Sequence, residues 1–271
     1  MKLLVVFGTR PEAIKLAPII KEAYRSGIPV DTCTTGQHSA MLDQVLELFG
    51  IKPDYELHLM QPNQQLAALT GRVLDSVTGV LLRSKPDLVL VQGDTTTAFA
   101  TALASFYCRI PVGHIEAGLR TLDLGSPFPE EAMRQMIGRI ATWHFAPTTR
   151  NAKNLLDEGI SPESIFVTGN TVIDALLDVQ QLVRAGKKLE ALDIPRDLIQ
   201  ELRGSTRMVL ITGHRRENFG AAFERVCEAI RQLAEVHPDT LFVYPVHLNP
   251  NVVGPAQRML GDIANVRLIN H

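Results

Sequence analysis

Short apolar runs alternate with longer stretches of helical periodicity along the chain. Near-continuous runs fall at 3–7, 88–92, 111–115, 143–146, 165–168, 208–212, 241–246 and 266–269, with a more polar one at 30–34. Such runs, lacking in–out alternation, are how parallel strands buried on both faces read. Between them, helical spacing occurs at 13–26, 38–48, 64–84, 96–106, 130–142, 150–158, 172–183 and 223–236. Strand and helix in regular alternation predict an α/β protein built on doubly wound parallel sheets. The rhythm is dense to about residue 170. It is then interrupted by a long polar, helical stretch and restarts at Met208. Two Rossmann-like domains are therefore expected, one over 1–170 and one over 171–271. The second would comprise a linker and the first part of a sheet, with only three strands.

Composition narrows the class of partner. The 271 residues carry 27 Lys+Arg against 29 Asp+Glu, a net charge of -2, and 45% are hydrophobic. That is ordinary for a globular protein with a real core. No basic surplus points to nucleic acid and no polybasic segment to a membrane surface. The partner expected is a small molecule or another protein. The first apolar run, Leu3 to Phe7, is too short for a signal peptide, and no stretch is long enough to span a bilayer, so a cytoplasmic protein is expected. Cys33, Cys108 and Cys227 are too few and too scattered for a disulfide framework or a zinc site.

In open parallel sheets ligands bind beyond the carboxyl ends of the strands, so the residues that follow each strand matter most. After the first comes Gly8-Thr9-Arg10-Pro11-Glu12, with Lys15 a turn further on. Thr9 and Glu12 fit a capping box, Pro11 suits a first helical turn, and the exposed N–H groups favour an anion. One glycine meets neither the GxGxxG nor the Walker pattern. Asp94 follows 88–92 and is either a helix N-cap or a site carboxylate. Glu116 emerges after 111–115, and Gly118 behind it argues against a cap. Pro127 and Pro129 lead rigidly into Glu130-Glu131, either of which is a candidate. His214, Arg215 and Arg216 follow 208–212 and suit phosphate with an acid/base alongside. His247-Leu248-Asn249-Pro250 reads as a polar turn. Carboxylates with histidine suit proton transfer, and cations suit a phosphate leaving group. There is no nucleophile elbow and no HExxH spacing, so neither a metal nor a cofactor is expected. The residues point to an enzyme acting on a phosphorylated or nucleotide-linked substrate.

The segments FGTRPEAIKLAPII, TGQH, QGDTTTAFA, HIEAGLRT, PFPEEAMR, GNTVIDAL, TGHRREN and YPVHLNPNV occur in order across the chain. Together they resemble the bacterial non-hydrolysing UDP-N-acetylglucosamine 2-epimerases. The resemblance implies a GT-B fold, two Rossmann-like domains with substrate in the cleft between them, and a homodimer. It implies reversible conversion of UDP-GlcNAc to UDP-ManNAc by elimination and re-addition of UDP. By motif, Asp94, Glu116 and Glu130 would be the acid/base group near the sugar, and His214 would act near the diphosphate. Arg10, Lys15, Arg215 and Arg216 would bind substrate. A regulatory second UDP-GlcNAc site in some members would here be lined by Gln37, His38, Arg72 and His247, with Arg216 alongside.

Two departures stand out. Met133 takes the place of a usual Asn beside Arg134, which implies looser local hydrogen bonding. Family members also run longer, with a Ser-Gly-Gly loop and a following Glu for uridine and phosphate, and neither motif occurs before His271. A fragment of a longer enzyme, or a surface completed by another chain, is then expected. The competing functions are a GT-B sugar-nucleotide transferase, a hydrolysing epimerase, and a catalytically dead sugar-nucleotide-binding fragment.

Overall fold

A computed structural model describes residues 1–36, 40–61, 64–185, 195–204, 207–213, 220–246 and 249–270. The chain forms two compact units, Met1–Ala191 and Leu192–His271.

The first unit is built on a seven-stranded sheet. In chain order its elements are β1 (Leu3–Phe7), α1 (Arg10–Arg25), β2 (Val30–Thr34), α2 (Ala40–Phe49), β3 (Tyr55–Glu56) and α3 (Leu66–Ser84). Then come β4 (Leu88–Gln92), α4 (Thr96–Tyr107), β5 (Val112–Ile115), α5 (Glu130–Ile140), β6 (Trp143–Ala146), α6 (Thr149–Asp157), β7 (Ile165–Val167) and α7 (Thr171–Arg184). The strand order is β3-β2-β1-β4-β5-β6-β7, and every pairing is parallel. Every strand of β1 to β7 except β3 coincides with an apolar run in the sequence, to within a residue at its ends. β3 escapes detection because two residues carry no periodicity; only pairing with Cys33 and Thr34 makes Tyr55–Glu56 a strand.

β1 shows why a continuous apolar run belongs here. All five residues are buried, but alternate side chains enter different cores. Leu3, Val5 and Phe7 pack with Leu16 and Ile20 of α1 and Phe49 of α2. Leu4 and Val6 pack with Val73 and Val77 of α3 and with Ala100 of α4. α7 rests against α1 through Ala175 and Val179, and Lys21 Nζ donates to Asp178 at 2.5 Å. Because α3 returns the chain from the sheet edge to its middle, β1 and β4 flank the point where the winding reverses. Ligands of doubly wound sheets bind at that point.

The second unit holds α8 (Arg196–Gly204), β8 (Arg207–Leu210), α9 (Ala221–Val236), β9 (Thr240–Val246), α10 (Pro250–Leu260) and β10 (Val266–Asn270). Its parallel sheet has the order β10-β9-β8. Phe242, Tyr244 and Val246 pack with Phe223 and Cys227 of α9 and Leu260 of α10, while Leu241 and Val243 cover Leu198 of α8. Of the turn expected at 247–250, His247 and Leu248 lie outside the described residues and Pro250 opens α10, whose buried Val252, Ala256 and Leu260 recur every fourth residue. All three cysteines are free. No helix among the described residues is long and apolar enough to cross a membrane.

Candidate active site

The site grows from the carboxyl ends of β1, β4 and β5. Thr9 caps α1 in the capping box expected with Glu12, and Pro11 occupies the first turn. Glu12 does more than cap. Almost wholly buried, its carboxylate accepts from the backbone N–H of Gly8 (3.0 Å) and Thr9 (2.7 Å) and from the Thr95 hydroxyl (2.6 Å). It thereby ties the loop after β1 to the turn after β4. Burial pushes its pKa up, while the donors around it pull the other way. Gly8 must be glycine for a steric reason. A Cβ there would stand 2.4 Å from Thr97 Oγ1 and 2.5 Å from Thr35 Oγ1, two hydroxyls already bonded to each other at 2.8 Å.

Asp94 is not the N-cap of α4. Thr95 takes that position, its hydroxyl accepting from Ala98 N–H at 3.0 Å. Asp94 instead accepts a hydrogen bond from the Arg134 guanidinium of α5. Its pKa is raised, chiefly by burial; the Arg134 charge opposes the shift, and the negative charges of Glu130 and Glu116 add to it. Asp94 is thus close enough to both of the other expected carboxylates to feel their charge. Glu130 is the half-buried first residue of α5.

Glu131, the other candidate at the start of α5, has a structural task. Fully buried, it accepts from the backbone N–H groups of Thr121 (3.0 Å) and Leu122 (3.2 Å) and from the Gln135 amide (2.8 Å). Hydrogen bonds hold its carboxyl below the ordinary range despite burial. Arg134 lies 3.3 Å from it and so braces Asp94 and Glu131 together. At Arg134 the hydrogen bonding expected to be looser beside Met133 is mixed: the terminal nitrogens reach Asp94 and Glu131, while the buried Nε has no hydrogen-bond partner among the described residues. Met133 itself offers only a sulfur, 3.8 Å from the Thr96 hydroxyl.

Glu116 has left-handed backbone (φ 65°), an uncommon conformation for a non-glycine residue and one that clusters at functional sites. Lys15 Nζ donates to both its oxygens (2.8 and 2.6 Å), and the amides of Gln92 and Asn170 donate as well, the latter at 2.8 Å. These contacts are all donors, and an ionised carboxylate is the partner that accepts from all of them. Arg10 opens α1, the helix that carries Lys15. Arg72 lies on α3 and donates to Gln64 at 2.5 Å. His214, Arg215, Arg216, Gln37, His38 and His247 lie outside the described residues.

Sequence reasoning passes over Gln92, Arg134 and Asn170 as site residues, although each stands inside a quoted motif. His114, inside β5 and two residues before Glu116, has a supporting task of its own. This buried residue's Nε2 lies 2.7 Å from the Gly93 carbonyl, which only accepts, so Nε2 carries the proton. His114 thus steadies the turn that presents Asp94. Burial drives its pKa down to about 3, and that of its cross-strand partner His144 down to about 4. Between pH 6.5 and these values the unfolded chain takes up protons that the folded chain refuses, so stability present at neutral pH is lost as pH falls. This histidine contribution should make urea midpoints drop from about pH 6.5 to about pH 5, before depressed carboxylates such as Glu131 titrate, and the raised carboxyls of Glu12 and Asp94 act with the opposite sign. In His114→Gln, whose amide reaches the same carbonyl without titrating, the drop should be shallower. An identical slope would remove His114 from this account.

Comparison with known proteins supplies an independent view. The family model for UDP-N-acetylglucosamine 2-epimerase matches residues 21–271. A relative from Ralstonia nicotianae named probable UDP-N-acetylglucosamine 2-epimerase is 54% identical over 99% of this chain and 71% of its own length. The UDP-N-acetylglucosamine 2-epimerase of Escherichia coli K12 is 52% identical over 100% of this chain and 72% of its own. Among solved structures, UDP-GlcNAc 2-epimerase from Neisseria meningitidis bound to UDP-GlcNAc is similar with a TM-score of 0.87. It is 49% identical, and the match covers 100% of this chain and 72% of that one.

Proposed function

This chain belongs to the UDP-N-acetylglucosamine 2-epimerase family, and we propose on that footing that it interconverts UDP-GlcNAc and UDP-ManNAc. The observation that carries the reading is the gathering of Asp94, Glu116 and Glu130, with Lys15 and Arg134, where the winding of the seven-stranded sheet reverses.

The hydrogen at C2 of the sugar is not acidic, so removing it to a free carbanion is costly. Elimination avoids the carbanion. A base takes the C2 proton while the C1–O bond breaks, UDP leaves with the electron pair, and a 2-acetamidoglucal remains. In the return step UDP oxygen attacks C1 and a proton reaches C2 from the opposite face. Inversion therefore needs proton carriers on both faces of C2, a demand that a cluster of three carboxylates suits. Asp94, whose burial favours its protonated form, is suited to deliver a proton. The departing diphosphate needs positive charge, a role for Arg10, Lys15, Arg215 and Arg216, with His214 at the glycosidic oxygen. The helix start at Arg10 adds first-turn N–H groups that favour an anion. Gln37, His38, Arg72 and His247 are proposed to line a regulatory second site. Homodimerisation and a cytoplasmic setting belong to the same proposal and rest on the family alone.

The test is product identity. Proton NMR of the chain with UDP-GlcNAc should show UDP-ManNAc accumulating with UDP still attached. Free ManNAc and UDP would instead identify a hydrolase.

A further inference from the structure

Asn170 stands where β7 hands the chain to α7, and both ends of its amide are engaged. Oδ1 accepts from the Val172 N–H at 3.1 Å and caps α7. Nδ2 donates to Glu116 Oε1 at 2.8 Å. The amide's orientation follows from its partners, because a backbone N–H only donates and a carboxylate accepts. Glu116 needs such a grip, since its backbone sits in the left-handed region and its carboxylate is placed by what holds it. Lys15 reaches both oxygens from α1 and supplies charge with little directional demand. Gln92 reaches Oε2 from β4, leaving Asn170 as the amide that fixes Oε1. α7 in turn packs on α1, so the helix that Asn170 caps and the helix that carries Lys15 form one block.

We propose that Asn170 is a positioning residue for the epimerisation, its amide holding the Glu116 carboxylate in the orientation from which it acts on the sugar. The assignment rests on the reading of Glu116 given above. It differs from a capping role alone, which any good N-cap residue fulfils. Ser and Asp both cap well. Ser has no second end to donate to Glu116, whereas Asp keeps the cap but turns an oxygen, and a like charge, toward it. Ala loses both functions.

The experiment measures kcat, KM for UDP-GlcNAc and thermal melting for the full chain and for Asn170→Ser, Asn170→Asp and Asn170→Ala. Asn170→Ser should lower kcat roughly tenfold and Asn170→Asp toward a hundredfold, as expected when a reacting group is misplaced. In both, KM should stay within about threefold and melting should stay near wild type. Asn170→Ala should lose kcat and also melt earlier. Wild-type kcat in the Ser and Asp variants would overturn the proposal and leave Asn170 a helix cap. So would losses in kcat that merely follow losses in melting temperature. Absence of turnover in the unsubstituted chain is a different result; it overturns the reading that these 271 residues epimerise by themselves, and this assignment with it.

Discussion

Glu116→Gln is expected to lower kcat by about 10²–10⁴, the range associated with losing a positioned proton-transfer group. KM for UDP-GlcNAc should change by no more than about threefold. The physical basis is the donor set around the side chain. Lys15 contacts both oxygens, while the Gln92 and Asn170 amides contact one each. A glutamine offers one oxygen and one NH₂ in the same space. One donor pair must then face another donor, and Lys15 loses its counter-charge. The fold has little stake in this group, since Glu116 lies at the rim of the sheet beyond β5 and belongs to none of the three apolar clusters of the first unit. Steady-state kinetics beside a melting curve separates the effects. A variant that melts like wild type and turns over at wild-type rate would remove Glu116 from the chemistry. A catalytically dead binding module would have no rate to lose.

Gly118→Ala is expected to have the largest effect on stability, about 3–5 kcal/mol. Gly118 has φ 84°, and an added Cβ would lie 2.2 Å from the carbonyl oxygen of Asn151 and 2.8 Å from its carbon. Both are backbone atoms at the start of α6, so no side-chain rotation relieves the clash. The same peptide is clamped from the other direction, with Gly118 O accepting from the amides of Asn151 (3.4 Å) and Asn154 (2.8 Å). Gly159→Ala is the matched control. That glycine also has positive φ, 82°, but a methyl group added to it would meet nothing within 4 Å, so only the strain of about 1–2 kcal/mol should appear. Urea denaturation of the two variants should therefore differ by about 1–4 kcal/mol. Equal losses would show that α6 yields, and that the tight approach does not hold the Glu116 turn in place.

β1 and β4 are legible in the sequence because burial on both faces leaves an unmistakable apolar run, Leu3–Phe7 and Leu88–Gln92, whereas the apolar runs at β7 and β8 form strands that stand largely exposed. Carboxylates at strand ends are legible for a related reason. A Glu directly behind such a run, followed by Ala-Gly, has no capping duty to explain it. Asp94 is ambiguous because Asp before a helix caps so often; that Thr95 takes the cap depends on which oxygen reaches the Ala98 N–H. The remaining omissions are long-range. Arg134 meets Asp94 across 40 residues and Asn170 meets Glu116 across 54, distances at which no local pattern speaks. Glu12 is legible as a capping-box residue, yet its bond to Thr95, 83 residues away, follows only from β1 and β4 being neighbours in the sheet.

The most direct test of the central claim is proton NMR of the protein with UDP-GlcNAc in D₂O. Elimination and re-addition predict UDP-ManNAc carrying deuterium at C2, and, as the reaction reverses, UDP-GlcNAc that acquires deuterium at the same carbon. UDP-ManNAc that keeps its original hydrogen at C2 would contradict the account, because that hydrogen would then have been returned without exchange with solvent-linked carboxylates.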